Sequence, residues 1–178
     1  MFYYFSCFIV YSFFGCGLET LYALFTSGEL LSRKVSLLFP LCPVYGLGAI
    51  AIILATKRFN GKILPVFISG MAAATTVEFL MDVLYRDLLG VPIWNYSNQP
   101  FNINGRVCLA FALAWGFLSV ILVKYVHPRV HEMIKNIPLK VNLPVSLITV
   151  FDVVITFTLL WLHGDKSIIE NVFALYMR

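Results

Sequence analysis

Glu78 and Asp82 stand four residues apart in an apolar stretch, and Arg86 follows at the same interval. Helical spacing puts all three on one face. Gly70 and Ala74 continue that stripe the other way, and small residues let a second helix approach closely. Two carboxylates at this distance repel unless a proton, a cation or a guanidinium intervenes. Arg86 can reach Asp82; Glu78 needs a partner from elsewhere or a bound proton. Glu19 shares a face with Ser12, Gly15, Cys16 and Tyr22, Asp152 interrupts a late apolar run, and Arg106 opens another. A charge at the middle of a bilayer costs about 2.5–3.5 kcal/mol on insertion scales, so such residues face the bundle interior and mark a pathway or a site.

The elements that must position them are apolar spans. Of 178 residues, 60% are hydrophobic and 12% charged, with a mean hydropathy of +0.86. Soluble domains run at about 45–50% apolar and about 25% charged, which excludes that class and disorder as well. The net charge of +4 is mild and its basic residues are unclustered, so nucleic acid is not an expected partner. Five stretches suit helical spans: Phe2–Thr26, Phe39–Thr56, Ile63–Tyr85, Val107–Val126 and Leu143–His163. A hydrocarbon core about 30 Å thick needs ~17–25 helical residues, which the second stretch barely meets. The expected fold is therefore an all-α integral membrane bundle of about five transmembrane helices, one domain over residues 1–178. Ser167–Glu170 reads as a capping box that opens a short amphipathic tail over residues 164–178, suited to lying on the membrane surface.

The first span lacks the basic start of a signal peptide and runs too long for one, so it is expected to be retained. Lys57, Arg58 and Lys62 follow the second span, and Lys124, Arg129, Lys135 and Lys140 follow the fourth. The positive-inside rule then places these loops and the N-terminus in the cytoplasm of a multi-pass plasma-membrane protein. Cys7, Cys16, Cys42 and Cys108 show no metal-ligand or disulfide spacing and read as small packing residues; neither a metal nor another cofactor is expected. In this orientation Glu19, Glu78, Asp82 and Arg106 all project to the outer half of the membrane, and Asp152 lies near the middle.

Two segments depart from plain apolar spans. Phe39–Gly48 carries two prolines and two glycines, which fits either a broken second helix lining a cavity or a loop followed by a helix starting near Tyr45. The outer loop holds Trp94, Asn95, Tyr96, Asn98, Asn102 and Asn104 and ends at Arg106. Its aromatic residues suit the headgroup level, and its asparagines supply turn chemistry. Arg106 offers a planar fork for a carboxylate or phosphate; it could equally pair with Glu78 or Asp82 and hold the third and fourth spans together.

The segments FFGCGLE (Phe13–Glu19), FPLCPVYGLG (Phe39–Gly48), VEFLMD (Val77–Asp82), WNYSNQPFNINGRVCL (Trp94–Leu109) and VHP (Val126–Pro128) together resemble the bacterial membrane family of CmpB-type ABC-transporter permeases. The likeness covers about residues 5–130. The family pattern falls on Glu19, Cys42, Pro43, Tyr45, Gly46, Glu78, Trp94 to Ser97, Pro100 to Asn102, Gly105, Arg106 and Pro128. Asn95 is commonly Asp in that family. The resemblance implies a transport role. With no GxxxxGK[ST] loop in this chain, ATP use requires a separate ATPase subunit.

Three functions remain open at this point. One is a transport component that binds a small solute or lipid headgroup at a site of Glu19, Glu78, Asp82, Arg86 and Arg106, with Glu19 and Glu78 as proton or cation sites and Arg106 as an anion or carboxylate partner. Tyr45, Trp94, Asn95, Tyr96 and Asn102 would support that site. Another is a non-catalytic assembly or regulatory subunit whose buried charges specify packing. The last is an intramembrane enzyme acting on lipid headgroups, for which HExxH and GxSxG motifs are lacking. The bilayer is the common partner, and a homo-oligomer would supply the symmetry that five spans cannot.

Overall fold

The computed structural model describes residues 2–28 and 36–165, and within them the chain is helical. Five rods follow in order: α1 (Phe2–Ser27), α2 (Pro43–Thr56), α3 (Ile63–Leu88), α4 (Leu109–Ile134) and α5 (Leu139–His163). All but α2 are long and apolar enough to cross a membrane. The amphipathic tail expected over residues 164–178 falls, from residue 166 on, outside the described residues.

The second stretch departs from the expectation of a span over Phe39–Thr56. Its helix has 14 residues, or about 21 Å at 1.5 Å per residue, less than a hydrocarbon core about 30 Å thick. Nor is it a broken helix: it is continuous and begins late. Pro43, which has no N–H to lose, stands in the first turn after an extended Cys42. Cys42 donates its amide to the Ser12 carbonyl at 3.0 Å, so the irregular backbone ahead of α2 is satisfied by α1. Non-helical backbone at membrane depth persists only where protein supplies such partners.

The fourth span runs eight residues past the expected Val126, to Ile134. Pro128 should break it there. Instead, the turn over Leu122–Val126 is π-helical, and this wider turn accommodates a residue that lacks an amide and crowds the carbonyl four positions back. A second π turn, Val83–Leu88, ends α3.

The rods alternate in direction. Tyr3 at the start of α1 meets His131 at the end of α4, and Ser6 meets Asn142 at the start of α5. At the other end Glu19 meets Tyr45 at the start of α2, and Tyr85 packs with Leu160 late in α5. The N-terminus therefore shares an end with the basic loops at 57–62 and 124–140.

Glycines set the spacing. A Cβ on Gly15 would lie 2.2 Å from Tyr45, and one on Gly70 would lie 2.3 Å from Ser119. The small end of the Gly70–Ala74 stripe thus seats α4, as its composition predicts, and Gly15 lets α2 press its Tyr45 ring base against α1. The four cysteines are buried within this packing.

Candidate functional site

The charged residues at this end of the bundle divide into two groups, centred on Asp82 and Glu78 on neighbouring turns of α3. Asp82, 1% exposed, sits in the first. Arg86 grips it with Nε to Oδ2 and Nη2 to Oδ1, both at 2.9 Å, the bidentate geometry that the four-residue spacing permits. Arg106 adds Nη1 to Oδ2 at 3.2 Å and extends Nη2 to Asp87 at 3.0 Å. Its guanidinium carbon also lies 5.7 Å from the centre of the Phe79 ring. The first group thus contains two carboxylates and two guanidiniums. Of the two partners left open for Arg106, Glu78 and Asp82, the structure takes Asp82.

The same arginines anchor the outer loop. Arg86 donates to the Trp94 carbonyl at 2.8 Å, and the Trp94 indole donates to the Arg106 carbonyl at 2.9 Å. The asparagines serve the loop itself. Asn95 Oδ1 accepts from the Ser97 amide and hydroxyl at 2.9 and 2.6 Å, an Asx turn. Asn102 donates to the Ser97 and Gln99 carbonyls and accepts from the Gly105 amide. Gly105 has φ +69°, and a Cβ there would lie 2.4 Å from Ser97 Oγ, which leaves glycine as the residue that fits. Asn95 and Asn102, expected beside a ligand, are thus occupied in shaping the cover.

Glu78 leads the second group. It is buried, and among the described residues no arginine or lysine pairs with it. The Tyr96 hydroxyl donates to Oε1 at 3.0 Å and the Trp115 indole to Oε2 at 3.1 Å. Burial, and then the Glu78 charge, push the Tyr96 phenol well above its ordinary range, so Tyr96 remains a donor. Glu19 on α1 accepts from the Tyr45 hydroxyl at 2.9 Å. The Tyr45 and Trp115 rings lie 5.2 Å apart and join the two carboxylate sites across α2 and α4. Tyr96 stacks on Phe111 at 4.7 Å, and Tyr22 meets the same ring edge-on. Four helices and the outer loop thus converge on two carboxylates with neutral donors. Neutral donors do not cancel the charge, so such carboxylates can still attract a cation.

Trp115 is the residue that sequence reasoning missed. A signal was present, because an indole N–H in an apolar span needs an acceptor and the intramembrane acids are the strongest ones available. Asp152 is fully buried, and its partners are structural. It accepts from the Leu38 and Phe39 amides at 2.9 and 3.2 Å and from the Ser36 hydroxyl. This carboxylate satisfies the non-helical strand that leads into α2. At the opposite end, the His127 ring accepts or donates at 2.8 Å to Tyr11, and the His131 ring at 2.7 Å to Tyr3.

No curated protein and no solved structure matches the chain. A sequence-family profile does, over residues 6–160, well past the stretch on which the motif resemblance rests and through most of α5. By that match, and with all five of its helical rods inside it wholly or nearly so, the chain belongs to the membrane family described as "Putative ABC-transporter type IV", the CmpB type.

Proposed function

We propose that this chain is the membrane-embedded component of a transporter and that Glu19 and Glu78 form its site for a cationic group, carried by a small solute or a lipid headgroup. One observation carries the reading: at the level where α1, α2, α3, α4 and the outer loop meet, both carboxylates are held by tyrosine and tryptophan donors and, among the described residues, not by a basic side chain. Asp82, one turn away, is matched by two guanidiniums and serves to lock the loop over the site. Arg106 also reaches Asp87, whose side chain is 47% exposed, so an anionic group on the same solute could take Asp87's place. The family description supports a transport role and a separate ATPase partner. In this reading the whole chain is one domain in the plasma membrane, with its N-terminus and basic loops in the cytoplasm.

The test begins with native mass spectrometry of the protein extracted gently from its own membrane. A co-purifying ATPase and a bound cationic molecule are expected, with the molecule lost from Glu78→Gln and Glu19→Gln while the assembly persists. Retention of the molecule in both variants overturns the site. A second reading, an assembly or regulatory subunit, draws on the full pairing of Asp82, Arg86, Arg106 and Asp87. It predicts that Glu78→Gln weakens the association with the partner and leaves no bound molecule to lose.

A further inference from the structure

A pocket of about 260 Å³ opens at the other end of the bundle, among α2, the turn into α3, and α4. Ile53 and Val123 give it an apolar lining, and Thr56, Lys57, Asn60 and His127 add polar groups. Two irregularities create it. Asn60 and Gly61 take left-handed conformations, φ +46° and +71°, which turn the chain sharply from α2 into α3. Opposite them the π turn Leu122–Val126 widens α4 at Val123. Lys124 lies against the same turn: its Cε would be 3.9 Å from a Cβ on Gly61.

The electrostatics have one sign. The sequence has no acidic residue between Glu29 and Glu78, nor between Asp87 and Glu132, so the segments that line the pocket, 53–61 and 123–127, carry no carboxylate. Glu132, the nearest acid along α4, is exposed and paired with Lys135. Cations above an apolar floor, at the end of a membrane bundle, match a group that is anionic at one end and apolar at the other. The volume lies just below the ~300–1,000 Å³ of drug-sized sites, which suits a headgroup-sized ligand.

We infer that this pocket binds a phosphate-bearing anion, with Lys57 and Lys124 supplying the charge, Asn60 a hydrogen bond, and Ile53 and Val123 the apolar contact. The site is separate from the Glu19–Glu78 site and does not depend on it. Two sources share this chemistry, an anionic phospholipid of the inner leaflet and free phosphate.

The experiment uses the full chain in nanodiscs of phosphatidylcholine with one-fifth phosphatidylglycerol, with retained lipid counted by native mass spectrometry, and a parallel titration with inorganic phosphate in phosphatidylcholine alone. A basic group near an anionic surface contributes about fivefold, so the pair Lys57→Gln with Lys124→Gln is expected to weaken retention roughly 25-fold. The pair Lys62→Gln with Lys140→Gln removes the same charge outside the pocket and is expected to leave retention within about twofold, because a specific site, unlike a diffuse field, depends on position. Ile53→Trp fills the pocket with every charge intact and should also abolish retention, which separates occupancy from any folding defect of the lysine pair. Dependence on the pocket in the phosphatidylglycerol arm identifies a lipid, and in the phosphate arm alone a free anion. Equal loss from both lysine pairs, retention by Ile53→Trp, or binding in neither arm overturns the inference.

Discussion

Glu78 and Asp82 occupy successive turns of one helix, both are buried and both take a partner from the loop that follows, yet the chemistry of their partners differs. Asp82 is held by Arg86 and Arg106, which draw the outer loop onto α3. Glu78 is held by a tyrosine from that loop and a tryptophan from α4. The difference separates the two jobs an intramembrane acid can do. A carboxylate neutralised by guanidiniums fixes a packing arrangement, whereas one held by neutral donors keeps its attraction for an incoming cation. Asp152 adds a third case, with backbone amides as donors and a non-helical strand as the thing stabilised.

The comparison makes its largest demand at Asp82. Asp82→Asn leaves two guanidiniums facing an amide and should destabilise the protein by about 3 kcal/mol, the lower end of what breaking a buried pair costs, since Arg86 is partly exposed. Unfolding in mixed micelles measures it. Glu78→Gln keeps an acceptor for one donor and should cost about 1 kcal/mol by the same measurement. A loss at Glu78 as large as that at Asp82 would break the contrast.

Gly15→Ala comes next. The added Cβ would sit 2.2 Å from the Tyr45 Cβ and Cγ, too close for either helix to yield without a shift. Overpacking of this kind costs about 1–3 kcal/mol. It should also pull Tyr45 away from Glu19, so ligand retention is expected to fall together with stability, whereas Gly17→Ala, with open space beside it, should change neither.

Tyr96→Phe removes one hydrogen bond to Glu78 and leaves the stack on Phe111, for a loss of about 1 kcal/mol in the same unfolding experiment. The smallest effect is expected at Asn95. Its Oδ1 only accepts, and an aspartate accepts as well, so Asn95→Asp should stay within about 0.5 kcal/mol. A large loss on Asn95→Asp would show that the position has a role beyond its turn.

Much of the fold could be read in the sequence because the membrane makes it local. Long apolar runs must be helical to satisfy their own amides, so α1, α3, α4 and α5 follow from hydropathy. The Gly70–Arg86 stripe follows from helical periodicity alone, and so does the contact of Arg86 with Asp82, since both residues lie on one helix. The loop between α3 and α4 stands out in composition, but the hydrogen bonds that Asn95 and Asn102 make within it depend on its folded shape.

Sequence by itself therefore determined the membrane class, the long helices, the face on which the acids lie, and the end at which the basic residues gather. Tertiary structure alone decided the partners: Trp115 for Glu78, Tyr45 for Glu19, Arg106 for Asp82 and not Glu78, and the strand before α2 for Asp152. It also decided that α2 starts at Pro43, because amides upstream of it find acceptors on α1 and α5 that lie 30 to 119 residues away along the chain. Periodicity is a property of one segment. Neutralisation of a buried charge depends on which segments meet, and here that is set by glycine-sized gaps between helices.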